Sequence, residues 1–309
     1  MKSFLTICLI VLAVIAVMPS AQGQSGFLPG ERVLFEAHNC YPYNGLWNNR
    51  IDKALDAGFP LAIEMDVMWY VNKETNEGRL VVAHSEPLTG EEPTLKEYFF
   101  ERVRPYMENA LASEDKKDWP LITLNINDIR SNSPEAFAEV WALTETYQSW
   151  LCTAPKNATP DSLAPMNIKP LLILSGSGRH EMKQFYDAIP EDGNLRIFGS
   201  GNPKENADNF RRWINYSWSA VEPEGQSKAT AWNEEKEKRL RGLVKDAHEH
   251  SYWIRFYSLN GHPVTATARL GLSPGYNFGD LDTVKVRWEK AKAASVDFIA
   301  TDQIEEAKN

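Results

Sequence analysis

Cysteines and long apolar runs are scarce in this 309-residue sequence. Only three cysteines occur, which excludes a disulfide-dense scaffold and a zinc site built from several thiolates. Beyond the amino terminus, no run approaches the roughly 20 apolar residues that a membrane-spanning helix needs. The chain also lacks an excess of basic residues, because its formal net charge is −9. Such a chain is a poor nucleic-acid binder and gains no electrostatic attraction to anionic membranes.

The amino-terminal run has the organisation of a secretory leader. Lys2 precedes an apolar stretch from Phe4 to Met18, and the small–x–small sequence from Ala21 to Gly23 follows. This stretch is too short and wrongly flanked for a spanning helix. We therefore predict a signal peptide over residues 1–23, cleaved after Gly23, and a secreted or periplasmic mature chain.

Apolar segments that fit strands alternate with amphipathic segments that fit helices over most of the chain. Strand-like runs at residues 120–128, 170–178 and 252–260 are separated by helix-like stretches such as 133–151 and 231–250. This alternation predicts a parallel sheet whose ligands lie at the carboxyl ends of the strands. Barrels of this class take about 250 residues as one domain. We predict a single α/β domain over residues 24–309, a (β/α)8 TIM-type barrel that allows some irregularity.

Two finer predictions follow from the same pattern. Residues 209–213 are predicted as a short helix, and residues 216–221 as the strand after it. Cys40 follows a predicted strand and Cys152 follows a predicted helix, so the two would lie at opposite ends of the barrel. A disulfide needs Cα atoms within about 7 Å. We therefore predict that both thiols are unpaired.

Polar side chains gather at predicted strand ends in the first third of the chain. His38 and Asn39 follow the apolar run at residues 33–35, and His84 follows a second apolar run. Between them, Glu64 and Asp66 alternate with apolar residues, which predicts that both acids lie on one face of one strand. We expect these side chains to converge at one end of the barrel.

The paired carboxylates point to a metal. Two carboxylates in an apolar strand repel each other and lose hydration, so Glu64 and Asp66 require a cation, a proton or basic partners. Asn39 adds a neutral oxygen, and oxygen donors suit Ca²⁺ or Mg²⁺. His38 and His84, with pKa values near neutrality, would then form a general acid/base couple. The alternative is that both histidines are core residues and that the acids pair with Arg or Lys.

The same segments resemble the phospholipase C-like phosphodiesterase superfamily, which includes phosphatidylinositol-specific phospholipases C and glycerophosphodiester phosphodiesterases. The resemblance is specific in the first third of the chain and thinner beyond. It implies a (β/α) barrel, a divalent ion on Glu64 and Asp66, and catalysis by His38 and His84 on a phosphodiester. The matching residues are His38, Asn39, Tyr41, Ala54, Leu55, Gly58, Glu64, Asp66, His84 and Thr94 through Tyr98.

The chain departs from this pattern in the predicted strand at residues 120–128. Relatives commonly carry an acidic metal ligand there, often followed two residues later by lysine, whereas this sequence has Asn125 and Asn127. With Asn125 as the ligand, the metal would bind more weakly, unless Asp128 substitutes. Ordinary hydrogen bonding inside the barrel is the alternative role for both asparagines.

Three further polar residues fall on the same side of the predicted barrel. Arg179 stands beside a glycine-bearing turn that leads into a helix, a suitable place for a phosphate oxygen. Arg255 lies within a strand, where a guanidinium needs an anion, and we expect Asp302 or a substrate phosphate to supply it. His262 heads a long loop that could contact substrate.

These observations predict a secreted, metal-assisted phosphodiesterase acting on a glycerophosphodiester or phospholipid head group. We expect Ca²⁺ or Mg²⁺ as the cofactor, a monomer, transient contact with a membrane surface at most, and no nucleic-acid partner. Two alternatives remain open. A barrel glycosidase could use Glu64 and Asp66 as its acid pair, although glycosidase carboxylates flank the scissile bond. A catalytically degenerate barrel could act as a ligand-binding protein.

Overall fold

The computed structural model describes residues 27–42, 48–156, 163–270 and 272–309. The predicted signal peptide lies outside them. Fourteen strands occur in the described part of the chain: β1 Leu34–Ala37, β2 Leu61–Glu64, β3 Val67–Val71, β4 Gly78–Val82, β5 Ile122–Ile126, β6 Ala154–Pro155, β7 Leu171–Ser175, β8 Asn194–Leu195, β9 Phe198–Ser200, β10 Arg211–Ser217, β11 Trp253–Tyr257, β12 Asn260–Pro263, β13 Asn277–Gly279 and β14 Phe298–Thr301.

Eight of these strands close into a parallel barrel. Their order around the barrel is β1, β14, β11, β10, β9, β7, β5 and β2. The first and last strands pair in register from Leu34 with Phe298 to Ala37 with Thr301, which seals the barrel. The predicted (β/α)8 fold is confirmed. Parallel closure places the carboxyl ends of all eight strands at one rim, the usual location of a site in such barrels.

Helices follow most of the barrel strands. They are α1 Arg50–Asp56, α2 Glu101–Ala112, α3 Pro134–Thr146, α4 Arg179–Met182, α5 Glu234–Glu249, α6 Val264–Leu270, α7 Leu281–Ala293 and α8 Ile304–Lys308. Local sequence signals mark several ends. Gly58, with φ of 88°, follows α1 and takes a backbone conformation that side chains disfavour. Asn233 accepts a hydrogen bond from the backbone N–H of Lys236 and caps α5.

Three local predictions were wrong. The segment from Leu61 to Trp69 is not one strand, because β2 ends at Glu64 and the chain leaves the barrel. Val67 then starts an antiparallel hairpin of β3 and β4, so His84 follows a hairpin strand rather than a barrel strand. Near residue 210, the predicted short helix is the start of β10, and residues 218–220 form a 3₁₀ turn instead of a strand.

The two cysteines in the described part of the chain do not form a disulfide. Cys40 and Cys152 are both free and buried, which confirms the prediction that they are unpaired. Burial raises the pKa of each thiol. Within the residues that the structure describes, no helix combines the length and apolarity needed to cross a bilayer.

Candidate active site

The four residues singled out from the sequence come together at the carboxyl rim of the barrel. His38 directly follows β1, and Glu64 is the last residue of β2. The backbone N–H of Asn39 donates to Oε2 of Glu64 at 2.6 Å, which ties the two strand ends together. Asp66 lies between β2 and β3, and its Oδ2 is 3.9 Å from Nε2 of His84. The acids therefore share a site although they do not share one strand face.

His38 pairs with Asp302, a partner that was not predicted from the sequence. Its Nδ1 lies 2.9 Å from Oδ1 of Asp302, the residue just after β14. The side-chain amide of Asn39 donates to the same oxygen at 2.9 Å, and Arg50 lies 3.5 Å away from it. Arg50 also donates to the carbonyl oxygen of His38 at 3.0 Å. Contacts to the ring nitrogen and to the backbone carbonyl oxygen of His38 therefore fix the position of its imidazole.

The neighbouring carboxylates shift the pKa of His38 upward. Burial alone would lower the pKa of His38, but Glu64 and the hydrogen bond to Asp302 outweigh burial and raise it. Burial would raise the pKa of Asp302, yet Arg50 and His38 lower it to about 2. Asp302 therefore stays ionised and stabilises the imidazolium, as an orienting carboxylate does for a general base.

The acid pair is buried and strongly perturbed. Burial, followed by repulsion from Asp66, raises the pKa of Glu64 to about 8. Burial likewise raises the pKa of Asp66 to about 7, although Arg130, whose Nε lies 2.8 Å from Oδ2, opposes the shift. Oδ1 of Asp66 is buried and has no hydrogen-bond partner in the described part of the chain. An orphaned carboxylate oxygen beside a second buried acid can be satisfied by a cation or by a proton.

The donor set for a metal is smaller than the sequence indicated. Oδ1 of Asn39 accepts from the Tyr41 hydroxyl at 2.6 Å. Oδ1 of Asn125 accepts from the backbone N–H of Asn127 at 3.0 Å, while its amide donates to Oε2 of Glu36 at 3.2 Å. No cluster of three or more His, Cys, Asp or Glu side chains suited to a metal occurs among the described residues. Glu64 and Asp66 fit a hard divalent ion as a two-carboxylate site that leaves other positions to water or substrate.

His84 sits in a more open setting than His38. Its side chain is 37 % exposed, and its ring stacks on that of Tyr41 with centroids 5.7 Å apart. Burial and the charge of Arg130 lower its pKa. The two imidazoles therefore differ, since one is locked to a carboxylate and the other can reach solvent.

Aromatic and polar residues from later in the chain complete the rim. The ring centroids of Tyr257 and Tyr276 lie 6.2 and 6.4 Å from that of His38. His262 lies in β12 and not at the head of a long loop, so that prediction was wrong, but it approaches Asp302 at 4.0 Å and therefore lies beside the site. Sequence reasoning missed Asp302 as the partner of His38 and gave no role to Arg130. Asp302 could have been found, because barrel closure always brings the ends of the first and last strands together.

The two arginines proposed for phosphate lie in different settings. Arg255 is buried within the barrel, where it pairs with Glu36 and donates to Oδ1 of Asn215 at 2.9 Å. The expectation that Asp302 neutralises Arg255 was therefore wrong, because the Arg255 guanidinium pairs with Glu36 instead. Arg179 is exposed at the start of α4.

Comparisons with known proteins support the fold. No family model matches the chain, and no curated protein matches it. Among solved structures, a phosphatidylinositol-specific phospholipase C from Listeria monocytogenes matches with a TM-score of 0.52 and 12% identity, covering 92% of this chain and 94% of that protein. Two structures of a tri-modular GH5 (subfamily 4) endo-β-1,4-glucanase from Bacillus licheniformis, one complexed with cellotetraose, match at 14% identity with TM-scores of 0.43 and 0.45. This chain covers 56% and 57% of those chains. At 12% identity, the likeness to the Listeria monocytogenes structure shows a shared fold.

Proposed function

We propose that the protein is a phospholipase C-like phosphodiesterase that cleaves a glycerophosphodiester or a phospholipid head-group ester. One observation carries the proposal: the His38–Asp302 pair, the buried acids Glu64 and Asp66, and His84 form a single cluster at the carboxyl rim of the barrel. Two imidazoles beside a cation site are the groups that phosphodiester cleavage needs, namely a base, an acid and positive charge for the phosphoryl oxygens.

We assign the base to His38. With Nδ1 engaged by Asp302, Nε2 is the nitrogen that exchanges a proton with substrate, and Asp302 stabilises the imidazolium that forms. His38 removes a proton from the attacking hydroxyl or water. His84, the open imidazole, returns a proton to the leaving alcohol oxygen. A substrate hydroxyl adjacent to the phosphate would give a cyclic product, whereas water would give the phosphomonoester.

Glu64 and Asp66 would hold a Ca²⁺ or Mg²⁺ ion. When bound, such an ion supplies charge stabilisation for the phosphoryl oxygens. The chain also contributes a fixed cation of its own, because Arg130 bridges Asp66 and Asp128 at 2.8 and 3.0 Å. The half-exposed guanidinium thereby limits repulsion at the acid pair before any ligand binds.

The experiment is a turnover screen of the purified mature protein. Glycerophosphodiesters, phosphatidylinositol and sphingomyelin are assayed with Ca²⁺, with Mg²⁺ and with EDTA. We expect turnover of at least one substrate, with His38→Ala and His84→Ala each losing about two to four orders of magnitude in rate. His250→Ala, at the end of α5 on the opposite side of the barrel, is the matched control and should keep full activity.

Other outcomes separate the alternatives. Hydrolysis of a β-glucoside that survives EDTA, without phosphodiester turnover, would favour the glycosidase. Saturable binding of a phosphodiester without turnover would favour a degenerate, ligand-binding barrel. Export is part of the proposal, and sequencing the amino terminus of the secreted protein tests cleavage after Gly23.

A further inference from the structure

A cavity of about 590 Å³ lies at the amino-terminal end of the barrel, opposite the catalytic cluster. Its walls include Trp253 and Arg212, the first residue of β11 and the second residue of β10. The volume falls within the range of about 300–1,000 Å³ that is typical of small-molecule sites. Because catalysis is proposed at the other rim, a ligand here would be independent of that function.

Most of the lining residues are apolar. Phe27 and Trp253 form one wall, with ring centroids 4.8 Å apart, and the Trp253 indole N–H donates to the carbonyl oxygen of Phe27 at 3.2 Å. Met166 and Ile168, from the segment before β7, also line the cavity. Leu28 is 65 % exposed at its edge. The cavity therefore has a built apolar wall together with an opening to solvent.

Arg212 is one of three polar residues in this lining, with His248 and Ser251. It is 7 % exposed, and its three hydrogen-bond acceptors are neutral: the carbonyl oxygens of Asn209 and Ala164 at 3.1 and 3.0 Å, and Oδ1 of Asn209 at 3.2 Å. Those bonds use Nε and Nη2. In the described part of the chain no carboxylate forms an ion pair with Arg212, because Asp208 is engaged by Arg211 at 2.9 Å.

A buried guanidinium without a carboxylate is costly, and its free N–H groups can form charge-assisted hydrogen bonds to a carboxylate. Burial lowers the pKa of Arg212 to about 10, although the charge of Asp208 opposes this shift. His248, the other basic residue in the lining, already pairs with Asp297 at 2.9 Å. Arg212 thus remains the group that a ligand anion would meet.

We propose that this cavity binds a carboxylate amphiphile such as a medium-chain fatty acid, with its head group on Arg212 and its apolar tail against Phe27, Trp253 and Met166. One remaining guanidinium nitrogen suits a singly charged head group. The tail replaces water along an apolar wall, which is the dominant favourable contribution to binding.

The test uses dodecanoate as the probe, below its micelle-forming concentration, and dodecanol as its neutral counterpart. Binding is followed by titration calorimetry and by tryptophan fluorescence, since Trp253 lines the cavity. We expect saturable dodecanoate binding that Arg212→Met weakens roughly 10- to 100-fold, the range expected for one charge-assisted hydrogen bond, with dodecanol binding unchanged. The matched control is Arg211→Met, which removes the adjacent charge outside the cavity and should bind dodecanoate like the parent.

A second variant tests the proposal independently in case Arg212→Met does not fold. Met166→Trp narrows the cavity at its apolar wall without removing the guanidinium and should weaken the binding of both probes. Absence of saturable dodecanoate binding to the parent protein overturns the proposal. So does equal binding of dodecanoate by the parent and both cavity variants, and dodecyl phosphate outcompeting dodecanoate would reject the carboxylate as the head group.

Discussion

Nδ1 of His38 lies 2.9 Å from Oδ1 of Asp302, although the two residues are 264 positions apart in the chain. The contact forms where β1 pairs with β14, and the backbone N–H of His38 donates to the carbonyl oxygen of Thr301 at 3.0 Å in the same place. Closure of the barrel therefore does two things at once, because it completes the fold and it builds a histidine–carboxylate pair.

The first prediction concerns this pair. Asp302→Asn keeps the shape of the side chain but removes the charge that stabilises the His38 imidazolium, so kcat should fall by about two to four orders of magnitude. Since Asp302 raises the pKa of His38, the acidic limb of the pH–rate profile should move to lower pH. The measurement is kcat against pH for parent and variant.

A matched control for Asp302→Asn exists at the other end of the barrel. Asp297 also holds an imidazole, that of His248, at 2.9 Å. Asp297→Asn should lower thermal stability, because the carboxylate accepts from three groups, while leaving kcat of the folded protein unchanged. If both variants lower kcat equally, the His38–Asp302 pair has only a structural role.

Much of the site follows from local sequence. His38, Glu64 and His84 each stand where an apolar run ends, and parallel strands expose their carboxyl ends at one rim. The alternation of polar and apolar residues from Leu61 to Trp69 belongs to two different strands, one in the barrel and one in the hairpin. The local pattern could not show this, because a period of two residues fits both kinds of strand equally well.

The missed features depend on tertiary contacts. Arg130 follows β5 by four residues and reaches Asp66 only because Ile129 bridges to Val67 beside the hairpin. Arg211 opens β10 although polar residues around it favoured a helix, because pairing with β9 and β11 overrides local propensity. Such contacts join residues that are far apart in the sequence, so local sequence patterns do not predict them.

The second prediction is a fall in stability with rising pH. The pKa values of Glu64 and Asp66 are raised to about 8 and about 7 from ordinary values of 4.5 and 3.8. The folded protein therefore binds more protons than the unfolded chain between about pH 4 and pH 8, so its stability decreases across that range. Asp302, with a pKa of about 2, acts in the opposite sense and loses its contribution only as pH falls from about 4 towards 2.

Melting temperatures measured in EDTA from pH 5 to pH 8 test this expectation. Glu64→Gln should flatten the decline, because the buried amide does not titrate, whereas Glu139→Gln on the exposed side of α3 should reproduce the parent. If the melting temperature of the parent protein rises steadily from pH 5 to pH 8, ionisation of Glu64 and Asp66 does not destabilise the folded protein, and the prediction is wrong.

The third prediction concerns Arg130. Arg130→Met removes the guanidinium 2.8 Å from Asp66, and with it the repulsion that a divalent ion would meet. At pH 8, Ca²⁺ or Mg²⁺ should therefore raise the melting temperature of Arg130→Met by more than that of the parent, through binding to the folded state. Arg130→Lys retains the charge and should behave like the parent. Identical shifts in all three proteins would place the ion away from Asp66.

The last prediction concerns Asn125, which stands where relatives in the resembled family commonly carry an acid. Its amide donates to Oε2 of Glu36 at 3.2 Å, and it pairs in register with Glu64. Asn125→Asp removes this amide donor and adds a third buried carboxylate beside Glu36 and Glu64. The lost hydrogen bond to a charged group is worth about 1.5–3 kcal/mol. The melting temperature of the metal-free protein should therefore fall by about 3–12 °C.

Added metal separates the two readings of Asn125. If the new carboxylate reaches an ion on Glu64 and Asp66, Ca²⁺ or Mg²⁺ should restore more of the melting temperature of Asn125→Asp than it adds to the parent. Asn127→Asp is the control, because its half-buried side chain contacts Asp128 outside the barrel interior and should show a smaller loss and no extra recovery. Should neither parent nor Asn125→Asp respond to either ion, Glu64 and Asp66 do not bind metal, and Arg130 is then the cation that serves the acid pair.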